Sequence, residues 1–127
     1  MNYNNRENVT WTIKADTGKC VELEFVTFEL EKYNCYYDYL TVTDIDNSNS
    51  VDKYCGCTPG ATQSYYNYYS GSTHYFSCSG TIEQNANYPP NTKKSTGSNG
   101  FELVFTTDSI ITLQGFHIRF KAVGKLN

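Results

Sequence analysis

Methionine occurs once in this sequence, proline three times and histidine twice among 127 residues, and alanine is scarce. Few residues of the Met and Ala kind, with β-branched residues frequent, argue against a helical bundle. No apolar run approaches the ~18 residues that a membrane-spanning helix needs. Net charge is −3 and no Lys/Arg run exceeds Lys93-Lys94, so no phosphate-neutralising nucleic-acid surface is expected. Enzyme signatures are missing: there is no Gly-x-Ser-x-Gly elbow, no His-Glu-x-x-His and no phosphate loop. Neither histidine sits in a nucleophile constellation, so catalysis is not expected. Met1 to Glu7 is polar and lacks the apolar heart of a signal peptide. For an exported protein the leader is therefore expected to have been removed, with Met1 an added start.

What the chain does have is aromatic residues, 16% of the total and 12 of them tyrosine. Its length suits one domain with its own core. Five cysteines in a small β-rich domain favour an oxidising compartment, hence a secreted or extracellular protein. A glycosylation sequon at Asn8-Val9-Thr10 fits that compartment, although such triplets also arise by chance.

Residues 10–14 and 19–28 alternate as strands, joined by Asp16-Thr-Gly18, which is good turn chemistry. In the second strand Val21, Leu23 and Phe25 share one face, and Cys20, Glu22 and Glu24 the other, so Cys20 is expected to point outward. Residues 37–43 form the next strand, followed by a polar loop from Asp44 to Asp52. Near the C-terminus Phe101, Leu103 and Phe105 face inward on one strand, and Phe116, Ile118 and Phe120 on the next. Trp11 and Phe120 read as core packing and His117 as an outward, solvated residue. Short strands separated by polar turns indicate an all-β antiparallel sandwich.

The stretch from Cys57 to Gly100 departs from this pattern. It is poor in aliphatic residues and contains Ser64-Tyr-Tyr-Asn-Tyr-Tyr-Ser70. An extra hairpin is expected around residues 73–83, since long structureless loops are unusual in compact domains. A mobile, solvated segment is expected at Asn91 to Asn99. Tyrosine offers amphipathic contact area with few rotatable bonds, so Tyr65, Tyr66, Tyr68 and Tyr69 are candidate contact residues. The competing reading makes them a lid over a sheet edge.

Two segments carry the chemistry, Phe28 to Leu40 and Leu103 to Phe116. Each reads as strand, loop, strand, and together they set Glu31, Asp38 and Asp108 at strand ends. Asp38 shares parity with Leu40 and Val42 and so points toward the buried side. An ionised carboxylate at a core edge is costly unless paired or metal-bound, and few basic residues lie nearby. Calcium, a hard cation taking six to eight oxygen ligands, is the natural answer.

These residues also resemble a known family, the CUB domain. The matching pieces are Trp11-Thr-Ile13, Val21-Glu-Leu-Glu-Phe25, the Phe28 to Leu40 segment with Cys35, Tyr54-Cys-Gly56, Phe101 to Asp108, and Gly115-Phe-His-Ile-Arg-Phe120. They follow in order over most of residues 9–122. The resemblance implies a jelly-roll-like sandwich over residues 9–127, after an N-terminal extension at 1–8, with an insertion at about 57–100. It also implies a calcium ion held by Glu31, Asp38 and Asp108, with backbone carbonyls near Ser109 and Ile110 and waters completing the shell. In the family such a site often receives a Lys or Arg from a partner protein, and here Glu29 and Tyr37 could form the rim.

For the cysteines, the resemblance implies a Cys35–Cys55 disulfide. The family's N-terminal disulfide has one cysteine two residues before the tryptophan, where this chain carries Val9, so that bridge is absent. Among Cys20, Cys57 and Cys78 one bridge can form: Cys57–Cys78, or Cys20 with either. The leftover sulfur would be unpaired or linked to another chain. A zinc site of Cys55, Cys57, His74 and Cys78 is disfavoured because Cys-x-Cys is tighter than usual zinc spacing.

The expected function is a secreted, calcium-binding module mediating extracellular protein–protein interaction. One alternative is a structural or self-assembling subunit of an extracellular matrix, filament or adhesive, joined by the odd cysteine and the tyrosines. Another is a glycan-binding protein that uses exposed tyrosines.

Overall fold

The computed structural model describes residues 8–30, 38–47, 50–58, 62–67, 69–77, 87–107 and 115–124. Along these, alternation of apolar and polar side chains produces nine strands: β1 (Asn8–Ile13), β2 (Lys19–Glu29), β3 (Tyr39–Asp44), β4 (Val51–Tyr54), β5 (Thr62–Asn67), β6 (Ser72–Ser77), β7 (Thr92–Lys94), β8 (Phe101–Thr106) and β9 (Gly115–Gly124). No helix among the described residues is long and apolar enough to cross a membrane. One sheet has the order β1-β8-β3-β4, a second β7-β2-β9, and β5-β6 form a separate pair. The strand pairings within them are antiparallel.

The two larger sheets face each other and share one core. Val21, Leu23, Phe25 and Phe28 of β2 meet Leu40 and Val42 of β3 and Phe101, Leu103 and Phe105 of β8. Each fully buried Leu, Val or Phe adds roughly 1.5–3 kcal/mol of hydrophobic stabilisation. Phe25 and Phe28 lie three apart, which strict alternation would send to opposite faces. A register shift between Phe25 and Thr27 absorbs Val26 as an extra residue and keeps both rings inside.

The rows of inward side chains can be followed across each sheet. In the first, register aligns Trp11, Leu103, Val42 and Asp52; in the second, Phe120, Leu23 and Lys93. The centres of both rows are buried. Trp11 and Phe120 do point inward, but they are 41% and 62% exposed, so the expectation that they pack in the core is corrected. Periodicity assigned the face rightly; among the described residues no strand lies opposite to cover the row ends.

Three further expectations are corrected. Cys20 is buried and a free thiol, not an outward-facing one. It is a short side chain at the start of a central strand, flanked by Val123 on β9 and by the loop whose Ser95 hydrogen-bonds Val21. The hairpin of the tyrosine-rich stretch is β5-β6, at 62–77, earlier than residues 73–83. Residues 91–99 are held in place: β7 pairs with β2, Asp44 accepts from Thr96, and Asp46 accepts from the Asn99 backbone and side chain at 2.9 and 2.7 Å.

Candidate functional site at the strand ends

Asp38 is fully buried immediately before β3, as the parity with Leu40 and Val42 predicts. Its neighbour Tyr39 pairs with Thr106, the last residue of β8, so Asp38 stands at the end where β3 begins and β8 finishes. The next residue of that strand, Thr107, is also buried.

The end of β2 arrives at the same place. Phe28 stacks on Phe116 with centroids 6.1 Å apart, and Phe105 meets Phe116 edge-on at 4.9 Å. The last residues of β2 and β8 and the first of β9 therefore converge around Phe116. Leu30 continues from β2, is fully buried, and donates its N–H to the Gly56 carbonyl at 2.8 Å. Cys55, Gly56 and Cys57 are themselves buried, and Gly56 turns with a positive φ of 95°. This Cys-Gly-Cys turn clamps the end of β2, which Glu29 extends through a bridge to Cys57.

Of the expected ligands, Asp38 is thus placed at the converging strand ends. Glu31, Asp108, Ser109 and Ile110 lie outside the described residues, as do Cys35, Tyr37, Tyr68 and Cys78. In the sequence Glu31 follows Leu30 and Asp108 follows Thr107. Among the described residues no group of three or more His, Cys, Asp or Glu side chains is placed to hold a metal ion.

Glu29 is half-buried and accepts a hydrogen bond from the Thr58 hydroxyl, which also contacts the Tyr88 hydroxyl at 2.9 Å. Tyr88 in turn packs edge-on against Phe28. Sequence reading gave no role to Thr58 or Tyr88; no local pattern couples residues that far apart in the chain. Glu29 is therefore anchored to the core rim as well as facing outward.

Cys55 and Cys57 are both disulfide-bonded, which removes the zinc reading. Because Cys20 is a free thiol, a bridge from Cys20 to Cys57 or Cys78 is excluded, and its burial leaves no sulfur there for a link to another chain. His117 is exposed, as expected. Asn8, the sequon residue, is exposed at the start of β1.

In the β5-β6 hairpin, Tyr65 and Tyr66 lie within β5, and the side chains of that strand fall outside the described set. Tyr69 in the turn is 98% exposed and Tyr75 on β6 is 74% exposed. Those two tyrosines do not act as a lid.

A family model of the CUB domain matches residues 1–85. Human cubilin is 32% identical over 117 residues, covering 91% of this chain and 2% of cubilin. The exoskeleton protein RP43 of Riftia pachyptila is 29% identical, covering 95% of this chain and 22% of that protein. Among solved structures, the extracellular region of zebrafish Gpr126/Adgrg6 superposes with a TM-score of 0.64 at 28% identity, covering 97% of this chain and 12% of that one. This chain therefore spans only a small part of its relatives' length. Sequence and fold agree: the chain belongs to the CUB domain family.

Proposed function

We propose that this chain is an extracellular, non-catalytic CUB module that mediates protein–protein interaction through a calcium-organised end of its sandwich. The observation that carries the reading is Asp38, a carboxylate with no solvent exposure at the start of β3, where the ends of β2 and β8 arrive. A carboxylate buried at such strand ends is an oxygen ligand of the kind a hard cation takes, alongside the interaction Asp38 already makes within the protein. Glu31 and Asp108 would complete the acidic set, with backbone carbonyls at Ser109 and Ile110. The bound ion would supply positive charge that holds three carboxylates together and fixes the segments following β2 and β8. Asp38 orients from the rigid start of β3, while Glu29, tied to Thr58, offers an acidic rim beside Tyr37 for a partner's Lys or Arg.

Within this reading Cys35 pairs with Cys55 and Cys57 with Cys78, stapling the Cys-Gly-Cys turn to the segments on either side. Asn8 is the glycosylation position. The domain runs over residues 9–127, with residues 1–8 before it and the insertion at about 57–100.

Calcium titration under thermal melting tests the proposal. Extracellular modules of this kind bind at about 0.1–1 mM, so saturation adds on the order of 1 kcal/mol. The expected result is a melting temperature that falls when calcium is exchanged for excess EDTA. An identical melt in both conditions removes the calcium-dependent reading. A second reading, self-association or glycan contact through the hairpin, draws on the exposed Tyr69 and Tyr75. A glycan array and sedimentation of a Tyr69→Ser, Tyr75→Ser variant separate the two.

A further inference from the structure

The loop from Ser95 to Gly100 connects β7 to β8 and is pinned to the turn that follows β3. Asp44, the last residue of β3, accepts from the Thr96 backbone N–H at 2.9 Å and from the Thr96 hydroxyl. Asp46 takes both donors of a single residue. The Asn99 N–H reaches its Oδ2 at 2.9 Å, and the Asn99 side-chain amide reaches its Oδ1 at 2.7 Å. The fit is close, since a Cβ on Gly97 would lie 2.4 Å from Asp46 Oδ2. Between the two acids, the Ile45 N–H donates to the Gly100 carbonyl at 3.0 Å.

Two geometric demands therefore fall on adjacent residues. Position 99 needs a side-chain donor, because a carboxylate there would face Asp46. Position 100 needs glycine, since its φ is +71° and a Cβ would meet the Ile13 carbonyl oxygen at 1.9 Å. Together they produce Asn99-Gly100, the only asparagine–glycine step in the sequence. That dipeptide is chemically reactive: a glycine nitrogen has no neighbouring Cβ to hinder its attack on the preceding side-chain carbonyl. In the closed loop the attack is held off. The Asn99 amide is bonded to Asp46, the Gly100 N–H donates to the Gly97 carbonyl at 3.3 Å, and Gly100 is buried while Asn99 is exposed.

We propose that Asn99 is a site of spontaneous deamidation, that Asp46 sets its rate, and that the product undoes the loop. The Gly100 nitrogen bonds to Asn99 Cγ, the Cγ–Nδ2 bond breaks, and the proton lost from Gly100 is balanced by the one that leaves with ammonia. Water then opens the cyclic succinimide at either carbonyl, giving aspartate or isoaspartate, with nothing oxidised or reduced. The attack needs an open loop, so its rate scales with the open population, which the two Asp46 bonds hold down. Once formed, a carboxylate at position 99 meets the Asp46 carboxylate where a donor stood, a pairing of like charges that the closed loop disfavours. Asp44 Oδ1 is already buried with no hydrogen-bond partner among the described residues, so a further acceptor in this cradle is poorly placed.

The test is incubation of the 127-residue protein in neutral buffer, folded and in urea, followed by peptide mapping with mass spectrometry. Aspartate and isoaspartate are expected to accumulate at position 99, faster in urea than in the folded protein. Asp46→Ala should raise the folded rate roughly tenfold, as the loss of two hydrogen bonds implies, and leave the rate in urea unchanged. A folded rate that Asp46→Ala does not change overturns the proposal. So does conversion in urea at Asn47 or Asn49, which precede serine, ahead of Asn99. Stability gives a second readout that does not depend on the Asp46→Ala protein. Asn99→Asp should lower the urea midpoint, and adding Asp46→Asn should restore it, because the exchanged pair again sets one amide against one carboxylate. An Asn99→Asp protein as stable as wild type, or a double variant weaker than the single one, overturns the proposal.

Discussion

Lys93 Nζ lies 2.6 Å from Asp52 Oδ2 and joins the two facing sheets along one margin of the sandwich. Both residues end an inward row whose other end is uncovered, Asp52 opposite Trp11 and Lys93 opposite Phe120. The molecule thus has a closed margin held by charge and aromatic contact, and an open margin lined by exposed rings. The closed margin also contains Tyr54, which is buried, packs edge-on against Phe25, and donates to Asp52.

That arrangement gives Tyr54 a distinct titration. Burial first, and then the charge and hydrogen bond of Asp52, push its hydroxyl up from 10.0 to about 12. A raised folded-state value means that the contribution is fully present below pH ~10 and is lost as pH rises through about 12. The expected phenolate absorbance titration has a late component that disappears in Tyr54→Phe and moves earlier in Asp52→Asn. Alkaline destabilisation should be correspondingly smaller in Tyr54→Phe. If the late step persists in that variant, the assignment to Tyr54 is wrong.

Gly100 sets the approach of the 95–100 loop to β1. Its φ is +71°, and a Cβ there would lie 1.9 Å from the Ile13 carbonyl oxygen and 2.9 Å from Val21 Cγ2. The contact with the Ile13 carbonyl cannot be relieved without moving the backbone, and the backbone conformation itself disfavours an L side chain. Gly100→Ala is expected to destabilise the domain by on the order of 3 kcal/mol in urea denaturation. A loss below about 0.5 kcal/mol, the range of ordinary surface changes, contradicts this account of the loop.

The sandwich and its core were legible because period-two alternation is strong in β2, β3, β8 and β9. The inward aim of Asp38 was legible for the same reason. Alternation assigns a face but not whether a layer covers it, which is why Trp11 and Phe120 read as core. Cys20 was misread because its cover comes from a loop more than seventy residues away, through Ser95 and Val21. The short strand β7 was invisible for a similar reason. Its residues Thr92, Lys93 and Lys94 are polar and follow no pattern of their own; they pair only because β2 offers an edge. Asp44 and Asp46 then secure the following turn.

The cysteine arrangement makes a direct expectation about reactivity. With Cys20 4% exposed, and with Cys35 bonded to Cys55 and Cys57 to Cys78 as proposed, a native sample should react negligibly with a thiol reagent. In denaturant without reductant, one thiol per chain should appear, and Cys20→Ala should remove it. Non-reducing electrophoresis should then give a monomer band. A covalent ladder would restore the structural-subunit reading at the expense of the buried thiol.

Asp38 is the residue on which the calcium reading can fail most sharply. Its burial means that Asp38→Asn keeps the shape of the side chain but removes the charge that an ion would need. If calcium is bound there, the wild-type protein gains on the order of 1 kcal/mol at saturation, about 4 °C for a domain this size. Asp38→Asn should then melt at one temperature with or without calcium, near the EDTA value of the wild type. If the site instead serves only as a hydrogen-bonding node, calcium shifts neither protein, and the variant simply loses stability in both conditions. The third pattern, an equal calcium shift in wild type and variant, places the ion elsewhere in the chain. Only the first pattern ties the converging ends of β2, β3 and β8 to a metal-dependent interaction surface, because it alone requires both the ion and the charge at position 38.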